Sequence, residues 1–294
     1  MSQQEAPVVA VLGTGAMGRG IAGRLAETGH VVRAWNRTPA KAQLDEAGIT
    51  ACETPAAAVG GATHVLLVLA DDAAVEEVMS GLAGHLTADQ LVLNLGTVSA
   101  DLVRRLATAG PIADVGMLGN ANHARSGDLR FYLGCDPAQV KRAEEVLAHL
   151  AKEVRHVGPL GTGMNFKLAL NLLMGLEMQA LAEVITLGET LGIDRRELLD
   201  TVRGSGFSAP VMGFKSIRMA SGRYSAPDFR LALMAKDLQL AIQAAGEALP
   251  MATAACQSHL DACAAGWADY DCAAIADALA HYPAPDPASP RVRS

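Results

Sequence analysis

The fold is decided by residues 8–18, which read VVAVLGTGAMG. Five apolar residues, Val8 to Leu12, lead directly into a Gly-x-Gly-x-x-Gly pattern that runs from Gly13 to Gly18. The segment from Ala16 to Glu27 then places its apolar residues at helical spacing. The stretch therefore predicts a buried strand, a tight glycine turn and a helix, in that order.

The glycine turn has the residues that a dinucleotide-binding turn needs. Gly13 permits the tight turn, Gly15 lets the backbone approach a pyrophosphate, and Gly18 lets the helix pack closely on the strand. The helix N-terminus presents N–H groups and a partial positive charge to phosphates. A structural turn without a ligand is the alternative. We predict a cofactor site that includes Gly13, Thr14, Gly15, Ala16, Met17 and Gly18.

Further apolar runs follow the first one, and helical segments separate them. The runs are Val31–Trp35, Val65–Leu69, Leu91–Leu95, Ile112–Leu118 and Leu129–Leu133. Runs that are apolar on both faces and alternate with helices are typical of parallel strands buried in a doubly wound sheet. We therefore predict an α/β Rossmann domain over residues 1–160, built on a doubly wound parallel sheet.

Residues 161–294 show long helical periodicity instead of strand-like runs. The predicted helices are Met164–Leu191, Arg195–Arg203 with Asp194 as N-cap, Pro210–Ser221, Leu231–Leu249 and Ala252–Ala264. The first of them, within residues 161–191, is about 40 Å long and is expected to bridge the two domains. The second domain is predicted to be all-helical, with a proline-rich flexible tail at residues 282–294.

The composition excludes several classes of protein. The 294 residues include 24 basic and 31 acidic side chains, a formal net charge of −7. This balance argues against a nucleic-acid partner, which requires a basic surface. Leu168–Leu191 is apolar but is interrupted by glutamates, so we interpret it as a buried helix of a soluble protein and expect no membrane partner.

The N-terminus and the cysteines indicate the compartment. The first seven residues are polar and acidic and show no secretory signal, so a cytoplasmic location is expected. The five cysteines lack the paired spacing of disulfide or metal frameworks. We therefore expect core thiols and no metal site.

The end of the second apolar run indicates which nicotinamide cofactor is bound. NAD-selective sites commonly place Asp or Glu here, about 20 residues past the glycine turn, to bind the ribose hydroxyls. The chain has Asn36, Arg37 and Thr38 instead, and a guanidinium can pair with a 2′-phosphate. A solvated surface charge is the alternative for Arg37. The pattern predicts NADPH in preference to NADH, with these three residues around the phosphate.

Four motifs, taken together and in this order, resemble the β-hydroxyacid dehydrogenase family. They are the glycine turn, Asn36-Arg37-Thr38, residues 161–171 (GTGMNFKLALN) and Lys236-Asp237-Leu238. The family includes 3-hydroxyisobutyrate dehydrogenases, tartronate semialdehyde reductases and glyoxylate/succinic semialdehyde reductases, and imine reductases are its relatives. The resemblance covers about Val8 to Leu279. It implies a Rossmann domain, a long interdomain helix, an all-helical second domain and a homodimer or homotetramer.

The resemblance also implies roles for two residues of the long helix. The lysine that matches Lys167 is the family's catalytic acid/base, and the asparagine that matches Asn171 orients the substrate. Positions four apart lie on one face of a helix, so both side chains can point into one cleft. The alternative is a Lys167 side chain that only reaches solvent from an apolar helix.

Further site residues carry over from the family by position. Thr97 matches a threonine near the nicotinamide, and Lys236 matches a lysine that approaches the cofactor. Asp237, assigned to the substrate site, matches an aspartate that helps to hold the active-site network. An exposed Lys-Asp pair on a surface helix is the alternative. Leu69 and Ala70, at the end of the third apolar run, complete the predicted cofactor site.

The chain departs from the family in the substrate loop, which reads approximately Asp-Ala-Pro-Val-Ser-Gly-Gly there and DVGMLGN here, at residues 114–120. Leu118 stands where the family has the serine that holds a substrate carboxylate. Gly119 remains, and Asn120 replaces the second glycine. The loss of the hydroxyl weakens the case for a small 3-hydroxy acid. Three residues downstream offer new polar groups: Asn122, His123 and Arg125. Arg125 can pair with an anion, and a solvated loop is the alternative for all three.

Two reactions remain open for the small-molecule substrate. The first is NADPH-dependent reduction of an aldehyde or ketone, of the semialdehyde or 3-hydroxy acid type, with Lys167 protonating the nascent alkoxide. The second is reduction of an imine, which Leu118 and the residues after Trp35 favour. Lys167 opposes it, because unit charges 4 Å apart repel by about 4 kcal/mol at an effective dielectric of 20. A non-catalytic nucleotide-binding protein is a third alternative, against which Lys167 and Asn171 argue.

Overall fold

The computed structural model describes residues 6–44 and 46–280, and the tail predicted at residues 282–294 lies outside them. The chain divides into two compact units, one ending at Lys167 and the other beginning at Leu168. The sequence placed the boundary near residue 160, before the long helix, whereas the division falls inside that helix. The reason is that Met164, in the first turn of the helix, belongs to the apolar core of the first unit.

The first unit alternates strands and helices. Its strands are β1 (Val8–Leu12), β2 (Val31–Trp35), β3 (Ile49–Ala51), β4 (His64–Leu67), β5 (Leu91–Asn94), β6 (Ile112–Leu118), β7 (Leu129–Gly134) and β8 (Ala151–Gly158). Its helices are α1 (Ala16–Glu27), α2 (Pro39–Ala42), α3 (Pro55–Val59), α4 (Asp72–Gly81), α5 (Ala100–Leu106), α6 (Ala121–Ser126) and α7 (Pro137–Leu147). The six predicted strands are present, while β3 and β8 were not predicted.

The eight strands form one sheet in the order β3-β2-β1-β4-β5-β6-β7-β8. Neighbouring strands from β3 to β6 are parallel, so the predicted doubly wound α/β fold is confirmed. The last two strands depart from this pattern: β7 runs antiparallel to β6, and β8 pairs parallel to β7. Only residues 119–128 connect β6 to β7, whereas a parallel return needs about a dozen residues or more.

Apolar side chains cover both faces of the sheet. Val9 and Val11 pack on one face with Ile21 of α1, while Ala10 and Leu12 pack on the other. Successive residues of a strand point to opposite faces, so the continuous apolar run of β1 supplies both layers. The parallel strands bring their carboxyl ends to one edge of the sheet, where the loops with the predicted site residues begin.

The second unit consists of helices. They are the later part of α8 (Thr162–Thr190), α9 (Arg195–Gly204), α10 (Pro210–Ser221), α11 (Leu231–Ala245), α12 (Pro250–Ala262) and α13 (Ile275–Leu279). Asp194 caps α9 as predicted, because its carboxylate accepts the N–H groups of Arg196 and Glu197. Trp267 and Leu231 are among the buried side chains of its core.

Helix α8 buries one face only. Met178, Leu181 and Ile185 lie in the core of the second unit, whereas Leu173 and Leu187 are 54% and 59% exposed. The prediction of a buried helix therefore applies to one face. Within the described residues, α8 is the one helix whose length and composition alone would let it cross a membrane, a test that core helices of soluble proteins also pass.

All five cysteines are free thiols; Cys135, Cys256 and Cys272 are buried, as expected of core thiols, whereas Cys52 and Cys263 are half-buried. Burial raises the pKa of Cys135 to about 11 and that of Cys272 to about 12. Because the thiolate is the reactive form, these two side chains are inert at neutral pH and serve the core.

Candidate functional site

The glycine turn joins β1 to α1 and contacts the neighbouring strand. Gly13 has a φ of +103°, a left-handed conformation that favours glycine, and its N–H donates to the Trp35 carbonyl at 2.8 Å. A Cβ on Gly18 would collide with the Gly13 carbonyl oxygen. The turn itself therefore needs both glycines.

Gly15 differs from these two glycines. Its φ is −66° and its backbone is extended, which other residues also adopt, and a Cβ there would meet nothing within 4 Å. Gly15 is the N-cap of α1, and no side chain in the described part of the chain caps this helix. A ligand therefore has room beside Gly15, and no side-chain cap occupies the first N–H groups of α1, as a pyrophosphate requires. This end of β1 fits the phosphates of a dinucleotide.

The other predicted residues of the turn have distinct environments. Thr14 is buried, and its hydroxyl donates to the Lys41 carbonyl at 2.6 Å. That side chain ties the turn to α2, so only the Thr14 backbone is available to a phosphate. Ala16 is exposed and Met17 is half-buried in the first turn of α1.

The segment after β2 presents an exposed guanidinium. The Arg37 side chain is 80% exposed, and the ion pair that it forms with Glu77 spans 3.9 Å. A long, exposed pair contributes little stability, so an incoming phosphate can replace it at little cost. The Asn36 amide donates to the Thr38 carbonyl at 3.2 Å and shapes the turn around Arg37.

The chain that follows β4 lies between two glycines. A Cβ on Gly13 would collide with the backbone directly after β4, and a Cβ on Gly96 would collide with the Leu69 carbonyl. Leu69 and Ala70 are therefore next to the glycine turn, and Thr97 follows Gly96 in the chain. The structure brings together the predicted cofactor residues of the first unit at one edge of the sheet.

Lys167 lies in the second turn of α8, beside β6. Its Cβ is 3.2 Å from the position that a Cβ on Gly116 would occupy, and its side chain is half-buried. The same strand binds the start of the helix through Asp114. The N–H of Gly161 donates to Asp114 Oδ1 and the N–H of Met164 donates to Asp114 Oδ2, both at 2.6 Å.

Asp114 is a functional candidate that sequence reasoning missed. Burial raises the pKa of its carboxyl to about 6, against the opposing influence of the two N–H bonds and of the Arg104 guanidinium. Its hydrogen-bond partners are 47 and 50 residues away in the chain. The available signal was one aspartate inside an otherwise apolar strand.

Asn171 and Asp237 form a buried pair in the second unit. The Asn171 amide donates to Asp237 Oδ2, and both side chains are almost completely buried. The Lys236 ammonium lies 2.9 Å from Asp237 Oδ1. Asp237 is thus the centre of a network and not half of an exposed surface pair. These three predicted residues are brought together.

The loop after β6 uses its polar groups internally. Asn120 Oδ1 accepts the N–H groups of Asn122 and His123 at 3.1 and 3.2 Å, and His123 Nδ1 accepts the N–H of Asn120. This reciprocal arrangement caps α6. Leu118 is half-buried, and Gly119 has a φ of +135° that favours glycine. Asn120, which was predicted to contact the substrate, therefore uses its side-chain oxygen to cap α6.

Arg125, the anion-binding candidate downstream, is already paired. Its guanidinium lies 2.5 Å from Glu27 and 3.5 Å from Glu46. The two carboxylates more than offset its single positive charge. The Arg125 guanidinium is thus engaged by carboxylates of the protein itself. Position 118 is a leucine and offers no hydroxyl.

Two family descriptions match the chain. Residues 8–158 match the NAD-binding domain of 6-phosphogluconate dehydrogenase, and residues 161–279 match the NAD-binding segment of NADP-dependent 3-hydroxyisobutyrate dehydrogenase. Glyoxylate/succinic semialdehyde reductase 1 of Arabidopsis thaliana is 27% identical, over 92% of this chain and 98% of its own length. The human cytokine-like nuclear factor N-PAC is 29% identical over 93% of this chain, which spans only 51% of that protein.

Solved structures share the architecture. A 3-hydroxyisobutyrate dehydrogenase of Mycobacterium tuberculosis, solved with L-serine, has a TM-score of 0.81 at 26% identity and covers 93% of this chain and 99% of its own. An imine reductase from a Pseudomonas species has a TM-score of 0.53 at 22% identity, over 93% and 99% of the two chains. The second similarity concerns the fold alone.

Proposed function

The chain belongs to the β-hydroxyacid dehydrogenase family and is an NAD(P)-dependent oxidoreductase, and on that premise we propose that it reduces a small carbonyl compound with NADPH. The substrate is an aldehyde or ketone, of the semialdehyde or 3-hydroxy acid type. Lys167 is the acid/base, and Asn171 orients the substrate.

The observation that carries this proposal is Lys167 in the second turn of α8, held beside β6 of the nucleotide-binding unit. Bound NADPH supplies a hydride to the carbonyl carbon. Lys167 gives a proton from its ammonium to the oxygen as the carbonyl π bond breaks, so the product is an alcohol. Asn171, fixed by Asp237, offers an amide that can bind the same oxygen.

The preference for NADPH rests on Arg37. Its exposed guanidinium follows β2, and no carboxylate stands at positions 36–38 to bind ribose hydroxyls. A guanidinium binds a phosphate through paired, charge-assisted hydrogen bonds. The 2′-phosphate of NADPH is therefore the group that this side chain suits.

Leu118 supports reduction of an imine as the second candidate. Its apolar side chain stands where a hydroxyl would bind a carboxylate, and Asn120 and Arg125 are engaged in a cap and in ion pairs. Such a loop suits an uncharged substrate, either a ketone or an imine. Lys167 favours the ketone, because an ammonium repels an iminium by about 4 kcal/mol at 4 Å and an effective dielectric of 20.

The test is nicotinamide oxidation with a panel of aldehydes, ketones, 3-oxo acids and cyclic imines. We expect turnover of a carbonyl compound and a loss of about 100-fold or more in kcat for Lys167→Ala. Lys152→Ala, an exposed lysine of β8, is the control and should leave kcat unchanged. Turnover of imines only, or a fully active Lys167→Ala, would contradict the proposal.

We also propose that the chain forms a homodimer or homotetramer through its second unit. Among the described residues, seven large apolar side chains there are each more than half exposed: Leu173, Leu187, Leu191, Phe207, Phe214, Ile217 and Met251. Exposed apolar patches commonly mark protein interfaces, and a second copy of this chain is the partner that the family resemblance implies. Sedimentation of Leu187→Glu should show smaller species than the wild-type chain does.

A further inference from the structure

The start of α8 is held by Asp114, a residue of the distant strand β6. Asp114 is fully buried in β6, and each of its carboxylate oxygens accepts one backbone N–H from the residues at the helix start. The first N–H groups of a helix have no partner inside the helix. The hydroxyl of Thr162 donates to the Pro159 carbonyl. Asp114 therefore caps the N-terminus of α8, although it lies in a strand far away in the sequence.

Three glycines allow the helix to come this close to the sheet. A Cβ on Gly163 would lie 2.6 Å from the Asp114 carbonyl oxygen, and one on Gly134 would lie 2.7 Å from the Gly163 nitrogen. A Cβ on Gly116 would collide with the Gly163 carbonyl oxygen. A larger residue at any of these three positions would therefore push the start of α8 away from the Asp114 carboxylate.

Lys167 follows this contact directly. It is three residues after Met164, whose N–H is bound by Asp114, and its Cβ is 3.2 Å from the Cβ position at Gly116. Because an α-helix is rigid over one turn, fixing the first turn also fixes the Cα and Cβ of Lys167.

We propose that Asp114 is the positioning residue for Lys167: its carboxylate fixes the first turn of α8 on β6 and so determines where the Lys167 ammonium lies. The part concerning catalysis rests on the function proposed above. Asp114 itself does not touch the reacting atoms.

The electrostatics of the site agree with the geometry. A negative charge at a helix N-terminus is stabilised by the helix dipole and by the two charge-assisted bonds. The charged or titratable groups around Asp114 are Arg104 from α5 and the Cys135 thiol after β7. Burial outweighs these favourable interactions and raises the pKa of Asp114 to about 6.

The first experiment measures amide hydrogen exchange, which requires no substrate. In Asp114→Asn, which keeps only one acceptor oxygen, exchange at residues 161–167 should rise about tenfold, with no change in β1. Unchanged exchange at residues 161–167 in the variant would overturn the proposal.

The second experiment separates positioning from general stability. Asp114→Asn should lower kcat by about 100-fold while the Kd of NADPH stays within about twofold. Val115→Ala, a buried neighbour on the opposite face of β6, is the matched control: it should lower the unfolding temperature but leave kcat within about twofold. Equal losses of kcat in the two variants would reduce Asp114 to a structural residue.

The two proposals fail in different ways. If Lys167→Ala keeps full activity, the proposed reaction is wrong, while the exchange experiment still decides whether Asp114 holds the helix. If Lys167→Ala is inactive but Asp114→Asn keeps full kcat, the reaction stands and the positioning role is overturned.

Discussion

Two turns of the first unit each connect a strand to a helix, but they differ in whether a side chain caps the helix. The turn after β1 and the turn after β6 each follow a strand and open a helix, and α1 and α6 pack against each other through Gly20. Gly15 leaves the start of α1 without a side-chain cap, whereas Asn120 and His123 cap α6 reciprocally. Only the first turn keeps N–H groups available for a ligand.

The difference shows how one fold element becomes either a binding site or a structural connection. An N-cap glycine in place of a capping side chain costs stability, roughly a few tenths of a kcal/mol. The start of α1, where we expect phosphates to bind, lacks a side-chain cap, whereas the start of α6 has one. Three substitutions test this contrast, from the largest expected effect to the smallest.

The largest effect is expected for Gly15→Asp. The extended backbone and the open Cβ position accept the side chain, so the variant should fold at least as well as the wild type. Its carboxylate would cap α1 and repel the pyrophosphate, raising the Kd of NADPH by about 100-fold or more. Fluorescence titration with NADPH measures the affinity, and thermal unfolding measures the stability. Gly15→Ser, a neutral cap, should lie in between; an unchanged Kd in the aspartate variant would contradict the assignment.

A smaller effect is expected for Arg37→Ala. Loss of the guanidinium should raise the Kd of NADPH by about tenfold through the lost phosphate bonds, while the Kd of NADH stays the same. Both constants come from the same titration at low and high salt, and the difference between the cofactors should shrink at high salt. Arg155→Ala, at an arginine of β8, serves as the control. Equal changes for both cofactors would disprove selection at the 2′-phosphate.

The smallest effect is expected for Asn120→Ala. Removing the cap of α6 should lower the free energy of unfolding by about 1 kcal/mol and leave the Kd of NADPH unchanged. Denaturant unfolding measures the first quantity and fluorescence the second. Asn122→Ala, which removes no capping oxygen, should leave the stability near the wild-type value. A loss of NADPH affinity in Asn120→Ala would mean that the second turn also serves the cofactor.

Local patterns predicted most of the fold. The glycine turn, the six apolar runs and the helices after residue 160 were readable because strand and helix periodicities are local. The strands β3 and β8 were missed, since the first has three residues and the second, AKEVRHVG, is polar and partly exposed. The direction of β7 depends on a connection length that was not considered.

Site residues that belong to a short motif were predicted from the sequence, whereas interactions between residues far apart in the chain were missed. Arg37 and Lys167 stand in short, recognisable segments. The role of Asp114 and the pairing of Arg125 with Glu27 and Glu46 depend on residues far away in the chain. The cap at Asn120 was missed for a different reason: its partner at the third helical position is histidine in place of the more familiar Glu or Gln.

The extended backbone of Gly15 has a consequence for comparing homologous sequences. Gly13 and Gly18 are required by conformation or by packing, so any chain with this turn must keep them. Folding makes no such demand at position 15. A homologue with a side chain there, and glycine at the other two positions, can keep the architecture after the nucleotide is gone. The residue at position 15 therefore distinguishes homologues that keep only the fold from those that also bind the nucleotide.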